Sequence, residues 1–224
     1  MITAMVASSA PRPPGGNAPG QPPAQEMQEE ARIGPNAITQ VAAALYAATS
    51  AGTVRAIFNA ADQGDWLETP PTQMVPESTV ARLHHQVRVQ LPATEAQAVL
   101  SDAGVRTGHY VLQRRIPAFA RLLLRLLPPV AAGPLLLRAV ERNAWTFIGS
   151  GAFSVQRRDA RSAYLEVRNN PVIAGEQADE PICHWHAAVF ETLFQELAWR
   201  GATVVEETCC ATGAEACRFV LTYR

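Results

Sequence analysis

ATVVEETCCATGAEACRFVLTYR, residues 202–224, closes the chain and decides its fold. ATVVEETCC and ACRFVLTYR are rich in β-branched and aromatic residues, and ATGAE between them is a turn sequence, so the stretch reads as a β-hairpin. A second hairpin lies upstream. WTFIGSGAFSVQRR and SAYLEVRNNP are joined by the short polar connector RDAR. In the latter, Tyr164, Glu166 and Arg168 alternate with Ala163, Leu165 and Val167, the period of a half-buried strand. Between the hairpins, EPICHWHAAVFETLFQELAWRG reads as one helix. Pro181 sits near its start, Phe190, Leu193, Phe194 and Leu197 line one face, and Gly201 stops it. The C-terminal half is therefore β-β-α-β-β.

The N-terminal half is helical. Asn36 is placed to cap a helix in which Ile38, Val41, Ala42 and Leu45 recur at helical spacing. Further helical patterns run over 77–91, 94–102 and 105–113. RRIPAFARLLLRLLPP starts at Pro117 and stops at Pro128-Pro129, and its leucines wrap most of the circumference, which predicts burial on more than one side. GPLLLRAVERNAW repeats the plan with Pro134 in the first turn, so the two form an αα-hairpin. The expected class is α+β, a helical first half packed on an antiparallel sheet.

Bulk properties narrow the function. The 224 residues suffice for one domain with a substantial core, read as 31–224 behind a Pro/Gly/Ala-rich disordered tail, 1–30. A net charge of −1 gives no overall attraction to nucleic acid or an anionic membrane. All basic residues are Arg, the mark of a GC-rich genome rather than of a mechanism. The apolar stretch 116–137 carries Arg121, Arg125 and internal prolines, so it holds no uncharged span of membrane length. The N-terminus has neither the basic nor the apolar region of a signal peptide, and the cysteines suit a reducing cytoplasm.

Chemistry concentrates in the cysteines. Cys183, Glu206, Cys209 and Cys217 offer three sulfurs and one oxygen, a donor set suited to a closed tetrahedral zinc site. Cys209 and Cys217 flank the final turn, and Cys183 opens the helix packed on that hairpin. Two other readings stand beside it: inert core cysteines, which are often buried, and a nucleophilic Cys183 beside His184 or His186. Strict alternation would place Glu207, not Glu206, beside Cys209, so a Glu206 ligand requires a bulge. No Cys-x-x-Cys pair, iron–sulfur run or Gly-x-Gly-x-x-Gly follows the pattern of a redox site.

CHWHAAVFETLF, EETCCATGAEACRF and AWTFIGSGAFSV together resemble the 4-vinyl reductase domain family. Its hallmark is a Cys before a helix, followed by Glu, Cys and Cys across the last hairpin. Sensor members, in phenol-responsive transcription activators, hold zinc on that set. The pattern Cys-x22-Glu-x2-Cys-x7-Cys matches it through Cys183, Glu206, Cys209 and Cys217, which implies Glu206 as ligand and Zn²⁺ as a structural cofactor. The resemblance covers about 34–224. RIGPNAI, RRIPAFARLLLRLLP and RNAWTFIGSGAF look most like the bacteriochlorophyll-biosynthesis members, named for 8-vinyl reduction of divinyl tetrapyrroles. It further implies a fold similar to the small subunits of the vesicle-tethering transport particle, which hold an acyl chain.

The family thus implies a tetrapyrrole-binding protein of bacteriochlorophyll synthesis that carries substrate to a biosynthetic enzyme. The alternative is an 8-vinyl reductase with an external reductant. A flat apolar disc with acidic edges wants aromatic walls and cations. Trp145, Phe147 and Trp185 are the candidate walls, Arg121 and Arg125 the propionate partners, and His186 a ligand to central magnesium. The same Leu–Arg helix also reads as a dimer interface.

Overall fold

The computed structural model describes residues 30–159 and 161–223. The tail reading for 1–30 falls outside these residues except at Glu30, whose carboxylate accepts from the Ser78 N–H (2.9 Å). A two-residue strand, β1 (Arg32–Ile33), leads into α1 (Asn36–Ala48) and α2 (Ala51–Ala60). β2 (Val75–Pro76) pairs antiparallel with β1 and runs into α3 (Glu77–Gln90). α4 (Ala93–Arg114), α5 (Ala118–Leu126), α6 (Pro129–Asn143) and the one-turn α7 (Trp145–Ile148) follow. β3 (Ala152–Arg157), β4 (Ser162–Arg168), α8 (His184–Leu197), β5 (Ala202–Thr208) and β6 (Ala216–Tyr223) complete the chain.

Both predicted hairpins form, and they join into one antiparallel sheet of order β3-β4-β6-β5. α8 packs against β5, and its outer side meets α4, which in turn packs on α1. The layers are therefore sheet, α8, α4 and α1. Burial explains the order. Phe190, Phe194 and Leu197 of α8 and Leu165, Phe219 and Leu221 of the sheet are almost wholly excluded from water. Glu166 departs from the half-buried alternation expected of β4. It too is buried, because Arg218 covers it with a 2.7 Å ion pair.

Several local expectations change. The patterns at 94–102 and 105–113 are one helix, α4, with Gly104 and Gly108 in its middle. Both lie against α8 so closely that a Cβ on Gly104 would sit 2.4 Å from the Trp185 carbonyl oxygen. Residues 145–148 form a helical turn rather than a strand, and the sheet begins only at Ala152. Asn36 opens α1 behind Pro35 and makes no side-chain cap. α6 starts at Pro129, which leaves Pro134 inside the helix instead of in its first turn. α8 is shorter than expected and ends at Leu197. α5, predicted to be buried on several sides, has no buried residue at all.

Candidate metal centre and apolar cavity

Cys183, Glu206, Cys209 and Cys217 meet at the junction of α8 with the β5–β6 hairpin. Cys183 is the residue before the first turn of α8. Glu206 reaches the site because β5 is bulged. Glu206 pairs with Phe219 and Thr208 with Arg218, so Glu207 is the extra, exposed residue. Cys209 ends that strand, a short helical turn over Cys210–Thr212 and the left-handed Gly213 (φ 87°) reverse the chain, and Cys217 lies on β6. The bulge was the condition for choosing Glu206 over Glu207, and it is present.

The four donor atoms lie within 4.8 Å of one another. Sulfur–sulfur separations are 3.6 Å (Cys183–Cys217), 3.8 Å (Cys183–Cys209) and 4.0 Å (Cys209–Cys217). Disulfides require about 2.05 Å, so these are free thiols. A tetrahedron with zinc–sulfur bonds of about 2.3 Å has edges of about 3.8 Å, which these separations match. One Glu206 oxygen accepts the Cys183 N–H at 2.7 Å, while the other is buried with no hydrogen-bond partner among the described residues. A buried, unpartnered carboxylate oxygen beside three sulfurs is the donor set a divalent cation completes. The residues fit zinc.

Electrostatics point the same way. Burial pushes the Glu206 carboxyl up to about 8, and the neighbouring Cys209 sulfur adds to the rise. Hydrogen bonds to Cys209 and Cys217, together with burial, hold the Cys183 thiol well above the usual range. Bonds from Cys183 and Cys217 in turn draw Cys209 down to about 2. Acidic groups packed this tightly cannot all ionise without a cation among them. Asn170, absent from the sequence reading, braces the cluster. Its Nδ2 donates to the sulfurs of Cys183 (3.4 Å) and Cys217 (3.6 Å), and its Oδ1 accepts from the Val172 N–H. Such outer donors orient metal-bound thiolates. The Asn-Asn-Pro turn after β4 was the available signal.

A separate cavity of about 370 Å³ opens between α4, α6, α7 and α8. Thr107, Val111, Arg115, Leu136, Trp145 and Phe147 are among its lining residues. Phe147 is held edge-on by Phe153 and Phe190, with centroids 6.0 and 5.8 Å away. Trp145 stands at the rim, 59% exposed.

The 4-vinyl reductase domain pattern matches residues 163–223, a stretch that contains all four cluster residues. The chain is 45% identical to the bacteriochlorophyll synthase 23 kDa chain of Cereibacter sphaeroides over 190 residues, 85% of this chain and 90% of that one. It is 38% identical to the protein of the same name from Rhodobacter capsulatus, covering 90% of this chain and 92% of that one. This chain belongs to the bacteriochlorophyll synthase 23 kDa chain family. Its fold has a solved counterpart in an H-NOX protein from K. algicida, which overlays at TM-score 0.53 and 10% identity, covering 86% of this chain and 97% of that one. A palmitate-bound trafficking particle subunit 3 from Naegleria fowleri overlays at TM-score 0.49 and 11% identity, covering 66% of this chain and 95% of that one.

Within this 23 kDa family member the six expected ligand residues separate. Trp145 and Phe147 line the cavity, although from a helical turn and not from the sheet face. Trp185 is buried behind it, its Nε1 donating to Thr107 Oγ1 at 3.2 Å. His186 is enclosed by Trp185, Phe190 and Phe219, and burial lowers it to about 4 against a smaller opposing effect of the Phe147 backbone. That enclosure takes it out of reach of a ligand in the cavity. Arg125 binds the Glu196 carboxylate (2.8 Å) and carbonyl (3.0 Å) on α8, and neither it nor Arg121 lines the cavity. Arg115, the last residue before the Ile116–Pro117 break, is the cation at the site.

Proposed function

We propose that this chain binds a tetrapyrrole of bacteriochlorophyll biosynthesis and carries it to a biosynthetic enzyme. The observation that carries the reading is an apolar cavity with aromatic rings on one side and a single arginine at its edge. It belongs to a chain whose relatives are named for bacteriochlorophyll synthesis. The volume lies in the range of small-molecule sites. One edge of the macrocycle slots between Phe147 and Leu136, Trp145 stacks at the rim, and Arg115 meets a propionate. Among the described residues no helix is long and apolar enough to cross a membrane.

In the same reading, Cys183, Glu206, Cys209 and Cys217 hold one structural Zn²⁺. Four protein donors leave the ion no open position, so it would supply cross-linking and charge neutralisation. Protein purified without added metal should contain about one equivalent of zinc, the stoichiometry of a closed four-ligand site. Trace metal with all four thiols freely alkylated would overturn the assignment.

The carrier reading is tested by mixing the chain with divinyl protochlorophyllide and NADPH. A pigment spectral shift with quenching of Trp145, and no consumption of the 8-vinyl group, is the expected result. Turnover would make the protein a reductase. Arg115→Gln removes a charge-assisted hydrogen bond of about 1.5–3 kcal/mol, so Kd should rise about ten- to a hundredfold. Unchanged affinity would move the propionate contact elsewhere.

A further inference from the structure

We propose that the corner formed by α5 and α6 docks on anionic lipid bilayers. On α5, Phe119, Leu122, Leu123 and Leu126 follow the i, i+3, i+4, i+7 rule of an amphipathic face. The face is turned outward. Phe119 is 75% and Leu126 74% exposed, while Ala120 and Leu124 lie half-buried on the other side. α6 packs against α5 and adds exposed Val130 and Leu135, and Trp145 follows it. Most of the exposed large apolar side chains of the described residues therefore fall between 119 and 145. A helix that shows water its apolar face requires something to cover it.

Charge identifies the cover. The near-neutral whole conceals a strongly basic segment: residues 114–142 contain Arg114, Arg115, Arg121, Arg125, Arg138 and Arg142 against the single acid Glu141. Arg125 is committed to Glu196, but the other five make no ion pair among the described residues. Leu135, Arg138 and Arg142 recur at i, i+3 and i+7, which puts apolar and cationic groups on one exposed face of α6. Leucine, phenylalanine and tryptophan flanked by unpaired arginines suit the headgroup boundary of an anionic bilayer. A second copy suits it poorly, because a two-fold contact would set these arginines against themselves. The corner borders the cavity, with which it shares Arg115, Leu135's neighbour Leu136, and Trp145. An apolar ligand would then enter from the lipid side.

The test uses the full chain, without pigment, so it succeeds or fails independently of the carrier reading. Flotation should show binding to phosphatidylcholine vesicles containing phosphatidylglycerol, weakening at high salt, and little binding to phosphatidylcholine alone. Leu122→Ser with Leu126→Ser should reduce binding at least about tenfold. Arg138→Gln with Arg142→Gln should reduce it about 30-fold at low salt. These side chains are exposed, so melting temperatures should hold. Brominated lipid should quench the wild type more than Trp145→Phe. No vesicle binding, or equal binding to neutral lipid, overturns the proposal. So does a dimer that the double serine variant dissolves while vesicles bind neither form; the face is then a protein interface.

Discussion

Cys217→Ser should lower stability by more than about 4 kcal/mol, the size of loss that removal of a metal ligand produces. For a chain of this length that is a fall of about 8–16 °C in Tm. Cys217 is fully buried, and its sulfur stands within 4.0 Å of both other cluster sulfurs. It also accepts the Cys210 N–H (3.3 Å) and the Asn170 amide (3.6 Å). In the zinc reading, one ion ties the start of α8 to the final hairpin, and its binding free energy is folding free energy. Serine offers a shorter, harder donor that holds zinc poorly and leaves those N–H groups short of a partner. Cys210→Ser is the control. Its sulfur lies outside the cluster, 3.9 Å from the Val167 carbonyl, and the loss should stay near about 1 kcal/mol. Thermal melts with and without a chelator separate the two, since the chelator should lower wild type toward Cys217→Ser. Equal damage from both substitutions would mean that the ligand set is wrong.

The C-terminal half was legible because its signals are local. Period-two alternation around Leu165, turn residues at Gly213 and the short RDAR connector each specify a hairpin without reference to the rest of the chain. The bulge at Glu207 was legible only conditionally, through the demand that Glu206 and Cys209 share a face. Asn170 was not, since its part depends on two sulfurs 13 and 47 positions away. The ligand residues failed for a similar reason. Apolar character in 116–137 identifies a stripe but not what covers it, so Arg121 and Arg125 were assigned to a pocket while α5 faces solvent. Aromatic residues at 145–147 suggested a strand, yet the residues after Asn143 continue the helical path into α7. His186 carried a chemical label that burial among aromatic rings overrides.

Gly104→Val should cost about 3 kcal/mol, the upper end for overpacking a close contact, and lower Tm by about 6–12 °C. The glycine divided one helical pattern into two in the sequence, because a lone glycine reads equally as a break or as a point of contact. Here it is contact. A Cβ at 104 would lie 2.4 Å from the Trp185 carbonyl oxygen and 2.7 Å from the Ala188 Cβ. The first is backbone and cannot rotate away, so α4 and α8 must separate. Separation strains the Trp185–Thr107 hydrogen bond and shifts the start of α8, where Cys183 stands two residues before Trp185. The substitution should therefore also weaken metal retention, although position 104 lies outside the cluster. Gly52→Ala provides the opposite sign. An added Cβ there meets nothing nearer than Ser50 Oγ at 3.6 Å, and the less flexible unfolded chain should stabilise the fold by about 0.4–1 kcal/mol. Denaturant unfolding of the pair, with zinc content measured on each, checks both signs. If Gly104→Val unfolds with the wild type, α4 and α8 do not meet at this distance, and the layer order built on that contact falls with it.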